Sequence, residues 1–467
     1  MEKNKIKITV LGAGISGLAT AYWLQKEGFE VTVLEASSQP GGAMISEKEE
    51  GYLIDYGPNS GLETTPVIAD LVEEVGLQNE IVYANEEGNK RYILRDGNLY
   101  PLPTSPGAFF KTKLFSASAK FRLMAEPFIG KSKDGYYQSI AEFVKRRLGQ
   151  EFLDYAINPF VSGVFAGDPE KLSVKSAFPK LYRLEELYGG LIKGMFLGAK
   201  ERKANKEKSK NYAKMFSFRN GMQSFPKAIA AKLGDDVKYN CKVSKVESID
   251  SGYKIIYSQN GENKNLETDL VLSTIPSYKT ATVFGHFDSE LERHLNEIYY
   301  PPVMVLFLGF KKEQIGQTLD GFGFLIPEKE ERKFLGGIWS SVIFPERAED
   351  GNAAFTIFVG GARSPELFNQ DDEKLIAEVI EQFKKIMKIN GEPVFRREKF
   401  WNKAIPQYNI GHIEHENYFD QFEKNYPGIF LSGNYRGGIS VGDCMKNSEL
   451  TKNRIIEFVK NKRSTEV

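Results

Sequence analysis

This sequence has few cysteines and few histidines, and it has no excess of charge of either sign. Its 467 residues include two cysteines, Cys241 and Cys444, and no C-x-x-C pair. A disulfide framework and a thiolate zinc cluster are therefore both disfavoured, and a reducing compartment is expected. The 62 basic residues are balanced by 62 acidic residues, whereas a bulk nucleic-acid binder needs a basic surplus to neutralise phosphates. We therefore expect no nucleic-acid partner.

Long apolar runs are also missing. No segment approaches the roughly 18 consecutive apolar residues of a membrane-spanning helix, and the first residues lack the apolar core of a secretory signal. We expect a protein that is soluble or lies on a membrane without crossing it. Hydrophobic residues make up 41% of the chain and aromatic residues 12%, which excludes a disordered chain. The length favours more than one domain.

The most informative pattern lies near the N-terminus. An apolar, β-branched run at residues 6–11 ends abruptly at Gly12-Ala13-Gly14-Ile15-Ser16-Gly17. Apolar residues then recur at helical spacing as far as Gly28, and residues 30–34 are strand-like again, followed by Glu35. Strand, glycine turn, helix and strand within about 30 residues predict the βαβ unit of a dinucleotide-binding fold.

Each glycine of this turn has a distinct expected use. Gly12 permits the tight turn, Gly14 lets the backbone approach a pyrophosphate, and Gly17 lets helix and strand pack closely. The helix N-terminus offers unpaired N–H groups to the phosphates. Glu35 can accept hydrogen bonds from ribose hydroxyls and would repel a 2′-phosphate, which disfavours NADP. The motif does not separate NAD from FAD, and the alternative is a turn whose glycines only tighten packing.

The rest of the chain predicts a mixed α/β architecture. Residues 137–200 read as helical, with breaks at Asn158-Pro159 and at Gly167-Asp168-Pro169. Strands are predicted at 253–257, 270–275, 303–310 and 428–431, and a last helix from about Ser448 to Lys460. No internal repeat is present.

Two further glycine-rich segments carry a resemblance. Pro40-Gly41-Gly42 and Gly57-Pro58-Asn59-Ser60 follow the acidic strand, and Gly433-Asn434 is followed by Gly438-Ile439-Ser440-Val441 near the C-terminus. Together they resemble the FAD-binding amine-oxidase and desaturase superfamily, in which both ends of the chain complete the cofactor site. The resemblance implies FAD, with Val243 near the adenine and Trp401 near the flavin. The implied FAD contacts are Gly12, Ala13, Gly14, Ile15, Ser16, Gly17, Glu35, Gly42, Gly57, Pro58, Asn59, Ser60, Val243, Trp401, Gly433, Asn434, Ile439, Ser440 and Val441. Ala43 departs from the Lys, Arg or Trp that relatives often carry there.

The resemblance also implies a domain organisation. We expect a Rossmann-like FAD-binding domain, an antiparallel-sheet substrate domain and a helical, membrane-associating insertion. The expected FAD-binding parts are 1–85, 214–280 and 395–467, the substrate parts are 86–104 and 281–394, and the insertion is 105–213.

A resemblance to one particular family within this superfamily extends over nearly the whole chain. The block from Asn158 to Pro169, the segment from Phe216 to Met222 and the block from Leu319 to Pro327 resemble the protoporphyrinogen oxidase family. Arg91 matches the family arginine that holds a propionate, although by itself it reads as a surface arginine. The positions whose side chains sandwich the macrocycle match Leu319, Ile338 and Phe358, each of which alone reads as core. Relatives usually have Leu or Val at the position of Ile338.

This likeness implies oxidation of protoporphyrinogen IX to protoporphyrin IX in haem biosynthesis, through three two-electron cycles of FAD and dioxygen. Asn59 is the candidate catalytic residue, because it is the only polar side chain that the resemblance places near the flavin as a candidate for catalysis. The four histidines lack metal-site spacing, so no metal is expected. Alternatives are a coproporphyrinogen III oxidase of the same family, an amine oxidase or carotenoid desaturase, and a redox-silent protein that holds a lipid, as Rab GDP-dissociation inhibitors do.

An apolar stretch at residues 187–199 precedes a basic run at 200–214, which has seven Lys or Arg and two Glu. Such a pair suits an anionic membrane surface, although a solvated loop after a core helix is the alternative. The family is peripheral to membranes. We therefore expect a peripheral protein on the cytoplasmic side of a membrane, or a cytoplasmic one, and a homodimer is left open.

Overall fold

The computed structural model describes residues 6–85, 88, 90–204 and 213–465. Numbered in chain order, the strands are β1 Lys7–Leu11, β2 Glu30–Leu34, β3 Ser46–Glu49, β4 Tyr52–Asp55, β5 Gly61–Leu62, β6 Ile81–Tyr83, β7 Lys90–Arg95, β8 Asn98–Pro101, β9 Met215–Phe218, β10 Val237–Lys238, β11 Cys241–Ile249, β12 Gly252–Gln259, β13 Glu262–Thr268, β14 Leu270–Ser273, β15 Val303–Lys311, β16 Gly321–Leu325, β17 Phe334–Ile338, β18 Asn352–Gly360, β19 Phe395–Trp401 and β20 Ile429–Leu431.

The helices are α1 Ile15–Lys26, α2 Pro66–Glu74, α3 Pro106–Lys111, α4 Ala117–Met124, α5 Ile140–Arg147, α6 Gln150–Phe152, α7 Asn158–Phe165, α8 Val174–Ala177, α9 Pro179–Tyr188, α10 Leu191–Ala204, α11 Ser224–Leu233, α12 Ser277–Phe284, α13 Ser289–Glu297, α14 Ser340–Ile343, α15 Asp372–Met387, α16 His412–Asn425 and α17 Val441–Thr465. Within the described parts of the chain, no helix is both long and apolar enough to span a bilayer.

A five-stranded parallel sheet forms the first layer, in the order β10-β2-β1-β14-β20. Its strands are short and apolar because both faces are covered. Helices α1, α2, α11 and α17 pack on one face. The antiparallel strands β11 and β12, together with α12, α13 and α16, pack on the other. This arrangement confirms the predicted Rossmann-like unit, with strands drawn from three separate parts of the chain.

A seven-stranded sheet forms the second layer, in the order β19-β15-β18-β17-β16-β7-β8. Helix α15 packs against one face through Leu375, Val379 and Phe383. The expected antiparallel sheet is confirmed except at β7 and β16, which pair in parallel. This pairing is possible because the long stretch of chain between the two strands does not constrain their direction as a hairpin would. The predicted domain boundaries themselves stay a prediction.

Helices α3 to α10 enclose a third core, which contacts the seven-stranded sheet through Ile93. The predicted helix break at Asn158-Pro159 is wrong. Both residues continue a helical stretch from a π-helical turn at Leu153–Ile157 into α7. Proline has no backbone N–H to donate, and it stands here where the hydrogen-bond pattern changes from π to α. The predicted break at residues 167–169 is confirmed.

The C-terminal helix begins earlier than the sequence predicts. Helix α17 starts at Val441 rather than near Ser448. The Ser440 hydroxyl accepts a hydrogen bond from the Asp443 backbone N–H at 3.1 Å and donates to the Asp443 carboxylate at 2.6 Å. This cap allows the helix to begin within a glycine-rich segment.

Candidate FAD and substrate site

The glycine turn between β1 and α1 has the predicted geometry. Gly12 has φ +100°, a conformation that strains other residues. A methyl group on Gly17 would lie 2.1 Å from the Gly12 carbonyl oxygen, so helix and strand touch at this point. Around Gly14 the opposite holds, because an added methyl group would meet no protein atom within 4 Å. The turn is therefore tight at Gly12 and Gly17 and open at Gly14.

The N-terminus of α1 is suited to an anion. Gly14 is its N-cap, no described side chain caps it, and its first turn contains no acidic residue. The first N–H groups of Ile15, Ser16 and Gly17 are those that a helix cannot satisfy internally. With the helix dipole, they favour a pyrophosphate at this end.

Glu35 is fixed at the carboxyl end of β2. Its carboxylate accepts a hydrogen bond from the Ala13 backbone N–H at 2.7 Å and another from the Ser37 N–H at 2.8 Å. The residue is half-buried, and a carboxylate has further lone pairs for ribose hydroxyls. Val243 packs against the cluster that contains Leu11 and Leu34, the last residues of β1 and β2. The Cys241 N–H donates to the Glu35 carbonyl at 2.7 Å, so the start of β11, which contains Val243, lies beside Glu35.

The second and third glycine segments lie close to the first. Gly41 forms a β-bridge with Gly14, and a methyl group on Gly42 would lie 3.4 Å from the Gly14 Cα atom. A methyl group on Gly57 would lie 1.9 Å from the Ala43 carbonyl oxygen. The backbone is therefore in contact along three chain segments around one opening, with Pro58 and Ser60 half-buried beside it.

The C-terminal segment completes this opening. The Ser432 N–H donates to the Ser273 carbonyl at 2.8 Å, and the Thr274 hydroxyl donates to the Leu11 carbonyl at 2.9 Å. A methyl group on Gly433 would lie 3.2 Å from the Thr274 carbonyl oxygen. Gly433 is thereby placed next to the end of β1.

Tyr408 holds the residues that follow. Its hydroxyl donates to the Asn434 carbonyl at 2.8 Å and accepts from the Gly438 N–H at 2.8 Å. Burial raises the pKa of Tyr408 well above its usual value, so the hydroxyl keeps its proton. Ile439 packs against the helical cluster, Ser440 is exposed, and Val441 is buried.

These features fit FAD. An uncapped helix N-terminus, an open space at Gly14 and a fixed acidic residue at the ribose position lie at one edge of the parallel sheet. The residues that would hold the cofactor are those of the glycine turn, Glu35, the Gly42 and Gly57–Ser60 segments and the Gly433–Val441 segment. Bound FAD supplies two-electron oxidation.

One face of the seven-stranded sheet carries most of the predicted substrate residues. Strand register aligns Arg91 with Gly323, Gly323 with Ile338, and Ile338 with Thr356. Register partners point to the same side of a sheet, and Phe358 lies two residues beyond Thr356, also on that side. Arg91, Ile338 and Phe358 therefore share one face, which we name the substrate face.

Asn59 connects the cofactor segments to this face. Its side-chain amide donates a hydrogen bond to the Thr356 hydroxyl at 3.3 Å. Trp401 lies at the end of β19 and donates from its indole N–H to the Tyr56 carbonyl at 2.9 Å. Of the two side chains predicted to lie near the flavin, Asn59 thus belongs to the chain around Gly57 and Trp401 contacts it.

Arg91 is a cation without an anionic partner among the described residues. Its guanidinium carbon lies 5.2 Å from the centre of the Phe322 ring, and within the described ranges no carboxylate forms an ion pair with it. The side chain is exposed, yet desolvation by surrounding protein lowers its pKa. Exposure together with desolvation is expected for a cation that lines a concave surface.

Leu319 is not brought to the substrate face. It packs with Ile315 and Val342 against the core on the other face of the sheet. Phe322 lies beside Arg91 instead, and sequence reasoning missed it. A signal was present in the sequence, because Phe322 lies in the block from Leu319 to Pro327 that resembles the family. The register shift between Gly321 and Gly323, together with the ring contact, shows that Phe322 is the residue of that block beside Arg91.

Sequence reasoning also missed a buried ion pair behind the site. The Arg347 guanidinium lies 2.9 Å from the Asp55 carboxylate, and both side chains are almost fully buried. Arg347 also donates to the Ser217 hydroxyl at 2.5 Å, and Asp55 accepts from the Met222 N–H at 2.9 Å. The pair joins the chain before Gly57 to a loop of the seven-stranded sheet.

Known proteins share this arrangement. The family described as flavin containing amine oxidoreductase matches residues 15–448. The chain belongs to this family. It is an FAD-dependent oxidoreductase, and the predicted cofactor is confirmed.

Among relatives in this family, protoporphyrinogen oxidase 2 of Arabidopsis thaliana is 33% identical over 97% of this chain and 94% of its own length. Coproporphyrinogen III oxidase of Bacillus subtilis is 30% identical over 95% of this chain and 97% of its own. The resemblance to the protoporphyrinogen oxidase family is thereby confirmed. A crystal structure from Exiguobacterium sp. 255-15 has the same fold, with a TM-score of 0.80, 22% identity and coverage of 97% and 99% of the two chains.

Proposed function

We propose that this flavoprotein oxidises protoporphyrinogen IX to protoporphyrin IX, with dioxygen as the electron acceptor. The substrate loses six hydrogens in three two-electron rounds, and three dioxygen molecules become three hydrogen peroxide molecules. The observation that carries the proposal is the substrate face, where one unpaired arginine, Arg91, borders apolar side chains. A flexible apolar macrocycle with propionates requires this combination.

Arg91 would bind a propionate. A charge-assisted hydrogen bond to a carboxylate contributes roughly 1.5–3 kcal/mol. Because the guanidinium is already partly desolvated and has no carboxylate partner in the described chain, it loses little when the propionate binds. Arg91 would therefore fix the orientation of the ring.

The other residues of the face would position the ring. Ile338 and Phe358 present apolar side chains, and Phe322 extends that surface beside Arg91. Asn59, held by Thr356, places its amide where the cofactor segments meet the substrate face. No described histidine lies among these residues, so we assign no general base to the chain itself.

Coproporphyrinogen III is the second candidate. It has four propionates instead of two and would need more cations. Lys399 is register-paired with Val305, which is paired with Phe358, so Lys399 points to the same side as the substrate face. Its ammonium lies 5.0 Å from the centre of the Trp401 ring. This second cation favours the alternative, as do the names of two bacterial relatives.

The test compares the two substrates. The purified yellow holoenzyme, in air, is given protoporphyrinogen IX and, separately, coproporphyrinogen III, and porphyrin fluorescence is followed. Faster fluorescence from the first supports the proposal, and the reverse preference moves the protein to the second candidate. Silence from both with FAD bound would refute the porphyrinogen assignment and leave the FAD oxidoreductase standing.

A substitution of Arg91 tests its role on the substrate face. Arg91→Met should raise KM about tenfold or more, since 1.4 kcal/mol corresponds to a factor of ten, while FAD absorbance stays unchanged. Arg219→Met is the matched control, because Arg219 is an exposed arginine outside the site. Equal kinetics of the two variants would remove Arg91 from the substrate site.

We also propose peripheral binding to a membrane surface, on the cytoplasmic side. Helices α3 to α10 expose large apolar side chains, of which Phe128 is 90% exposed, Phe196 77% and Phe121 71%. Phe128 lies in a turn after α4 that contacts both α4 and α10, so the three side chains lie on neighbouring elements, and apolar exposure of this kind marks an interaction surface. Most of the basic run at 200–214 lies outside the described residues and adds nothing to this argument. A homodimer stays a prediction.

Sedimentation with anionic liposomes at low salt tests the membrane proposal. Wild type should co-sediment, and Phe128→Ser with Phe196→Ser should weaken binding. Tyr83→Ser is the control, because Tyr83 is an exposed aromatic residue outside these helices. Wild type that stays in the supernatant would contradict the proposal.

A further inference from the structure

Three of the four histidines lie together where α13 contacts α16: His294 is on α13, and His412 and His415 are on α16. The Nδ1 atoms of His294 and His415 are 2.8 Å apart, and the His412 ring centre lies 5.9 Å from that of His415. The Glu297 carboxylate completes a group in which the ligand atoms of His294, Glu297 and His415 all lie within 4.8 Å of one another. Sequence spacing concealed this group, because His294 and Glu297 come from a different helix.

We propose that His294, Glu297 and His415 bind a divalent transition-metal ion of the zinc type. Two imidazole nitrogens and one carboxylate oxygen form a donor set that Zn²⁺ and Co²⁺ accept, with a fourth position left for water. His294 is buried, His415 is half-buried, and Glu297 is exposed. The carboxylate side of the group therefore provides an entry path from solvent.

The present hydrogen bonds define what must change on binding. Arg293 donates from Nη2 to His294 Nε2 at 3.0 Å. An arginine only donates, so His294 carries its proton on Nδ1 and donates it to His415 Nδ1. A metal at both Nδ1 atoms requires this proton to move to His294 Nε2. No proton is lost overall, and Arg293 turns to Glu290, which it already contacts at 2.9 Å.

The distances permit this change with a small movement. Tetrahedral coordination with metal–nitrogen bonds of about 2.0–2.1 Å places the two nitrogens about 3.3 Å apart. The rings must therefore separate from the present 2.8 Å by roughly half an ångström. The Glu297 carboxylate forms an ion pair with Arg293 at 2.8 Å. A divalent metal ion would take the place of this guanidinium and would attract the carboxylate with two positive charges instead of one.

His412 supplies an independent observation. It is 3% exposed, and neither ring nitrogen has a hydrogen-bond partner of good geometry among the described residues. Its Nε2 atom lies 3.5 Å from a Glu416 carboxylate oxygen. An unsatisfied buried polar group costs about 1–3 kcal/mol. A metal-bound water beside His415 would give this ring a partner.

Direct metal binding tests the proposal. The holoenzyme, without a polyhistidine tag and after chelator treatment and dialysis, is titrated with CoCl₂ and, by calorimetry, with ZnCl₂. One ion per chain should bind, and Co²⁺ should give visible bands beyond the flavin absorption. No saturable binding by wild type up to about 1 mM metal would overturn the proposal.

Variants assign the ligands. His294→Asn, His415→Asn and Glu297→Gln should each weaken binding about tenfold or more. His286→Asn is the matched control, because His286 is neither a proposed ligand nor a neighbour of one like His412, and this variant should bind metal like wild type. Equal loss in His286→Asn, or unchanged binding in both histidine variants, would overturn the assignment. Circular dichroism and flavin absorbance confirm folding, and the wild-type titration decides if a variant does not fold.

Discussion

Two glycines of the cofactor turn should respond to the same substitution in opposite ways. Gly14 has φ −74° and no protein atom near its missing Cβ. Gly14→Ala should therefore leave apoprotein stability unchanged or raise it by about 0.4–1 kcal/mol, through the unfolded state. At Gly17 the methyl group meets the Gly12 oxygen at 2.1 Å. Gly17→Ala should cost about 1–3 kcal/mol of apoprotein stability through overpacking.

FAD affinity separates the two effects further. The methyl group of Gly14→Ala fills the space through which the pyrophosphate approaches, and a cost of about 1.4 kcal/mol or more corresponds to at least a tenfold rise in Kd. The assay combines urea unfolding of the apoprotein with FAD titration by flavin fluorescence. Gly107→Ala is the matched control, since a methyl group there also meets nothing within 4 Å. Unchanged FAD affinity in Gly14→Ala would refute the placement of the pyrophosphate.

Three further substitutions test the segment that connects the cofactor segments with the substrate face, and the start of the C-terminal helix. Asn59→Ala should lower kcat while FAD stays bound; unchanged turnover with unchanged FAD retention would remove Asn59 from the site. Arg347→Met should destabilise the protein by about 3–5 kcal/mol in urea unfolding, because Asp55 is left as an unpaired buried charge. Burial raises the pKa of Asp55, so protonation favours the folded state and the deficit should shrink as the pH falls and grow as it rises; a deficit independent of pH would contradict this. Ser440→Ala should lower the free energy of unfolding by about 0.5–2 kcal/mol in urea, because it removes the N-cap of α17. An unchanged free energy of unfolding would show that this cap does not stabilise the helix.

The parts of the site that the sequence predicts are those set by local pattern. The turn from Gly12 to Gly17 follows from three glycines at fixed spacing between a strand and a helix, and Glu35 follows from its place at the end of the next strand. These relations extend over about 30 residues, within which hydrogen bonding and periodicity determine the structure. The C-terminal cofactor segment and the substrate face were predicted only through the family resemblance.

The parts that could not be predicted depend on pairing between distant strands. Leu319 and Phe322 are three residues apart in one block, and no periodicity decides which of them faces the substrate. The β7–β16 register shifts between Gly321 and Gly323, and at this irregularity the Phe322 ring lies against Arg91. The contact of His294 with His415 likewise needs two helices that are separated along the chain by five strands of the seven-stranded sheet, β15 to β19. Helix α17 was predicted too short, because its cap, Ser440, lies within a glycine-rich segment.

A short segment, residues 55–59, connects the cofactor segments with the substrate face. Four of its residues, Asp55, Tyr56, Gly57 and Asn59, each contact a different part of the chain. Their partners, in order, are Arg347, Trp401, Ala43 and Thr356. Two of these partners lie in the strands of the seven-stranded sheet, one lies in a loop of that sheet, and one lies in the cofactor segment. This segment therefore sets the position of the cofactor segments relative to the substrate face, because among the described strands none of the parallel sheet pairs with a strand of the seven-stranded sheet. The buried ion pair of Asp55 holds the start of the segment, and Asn59 holds its end.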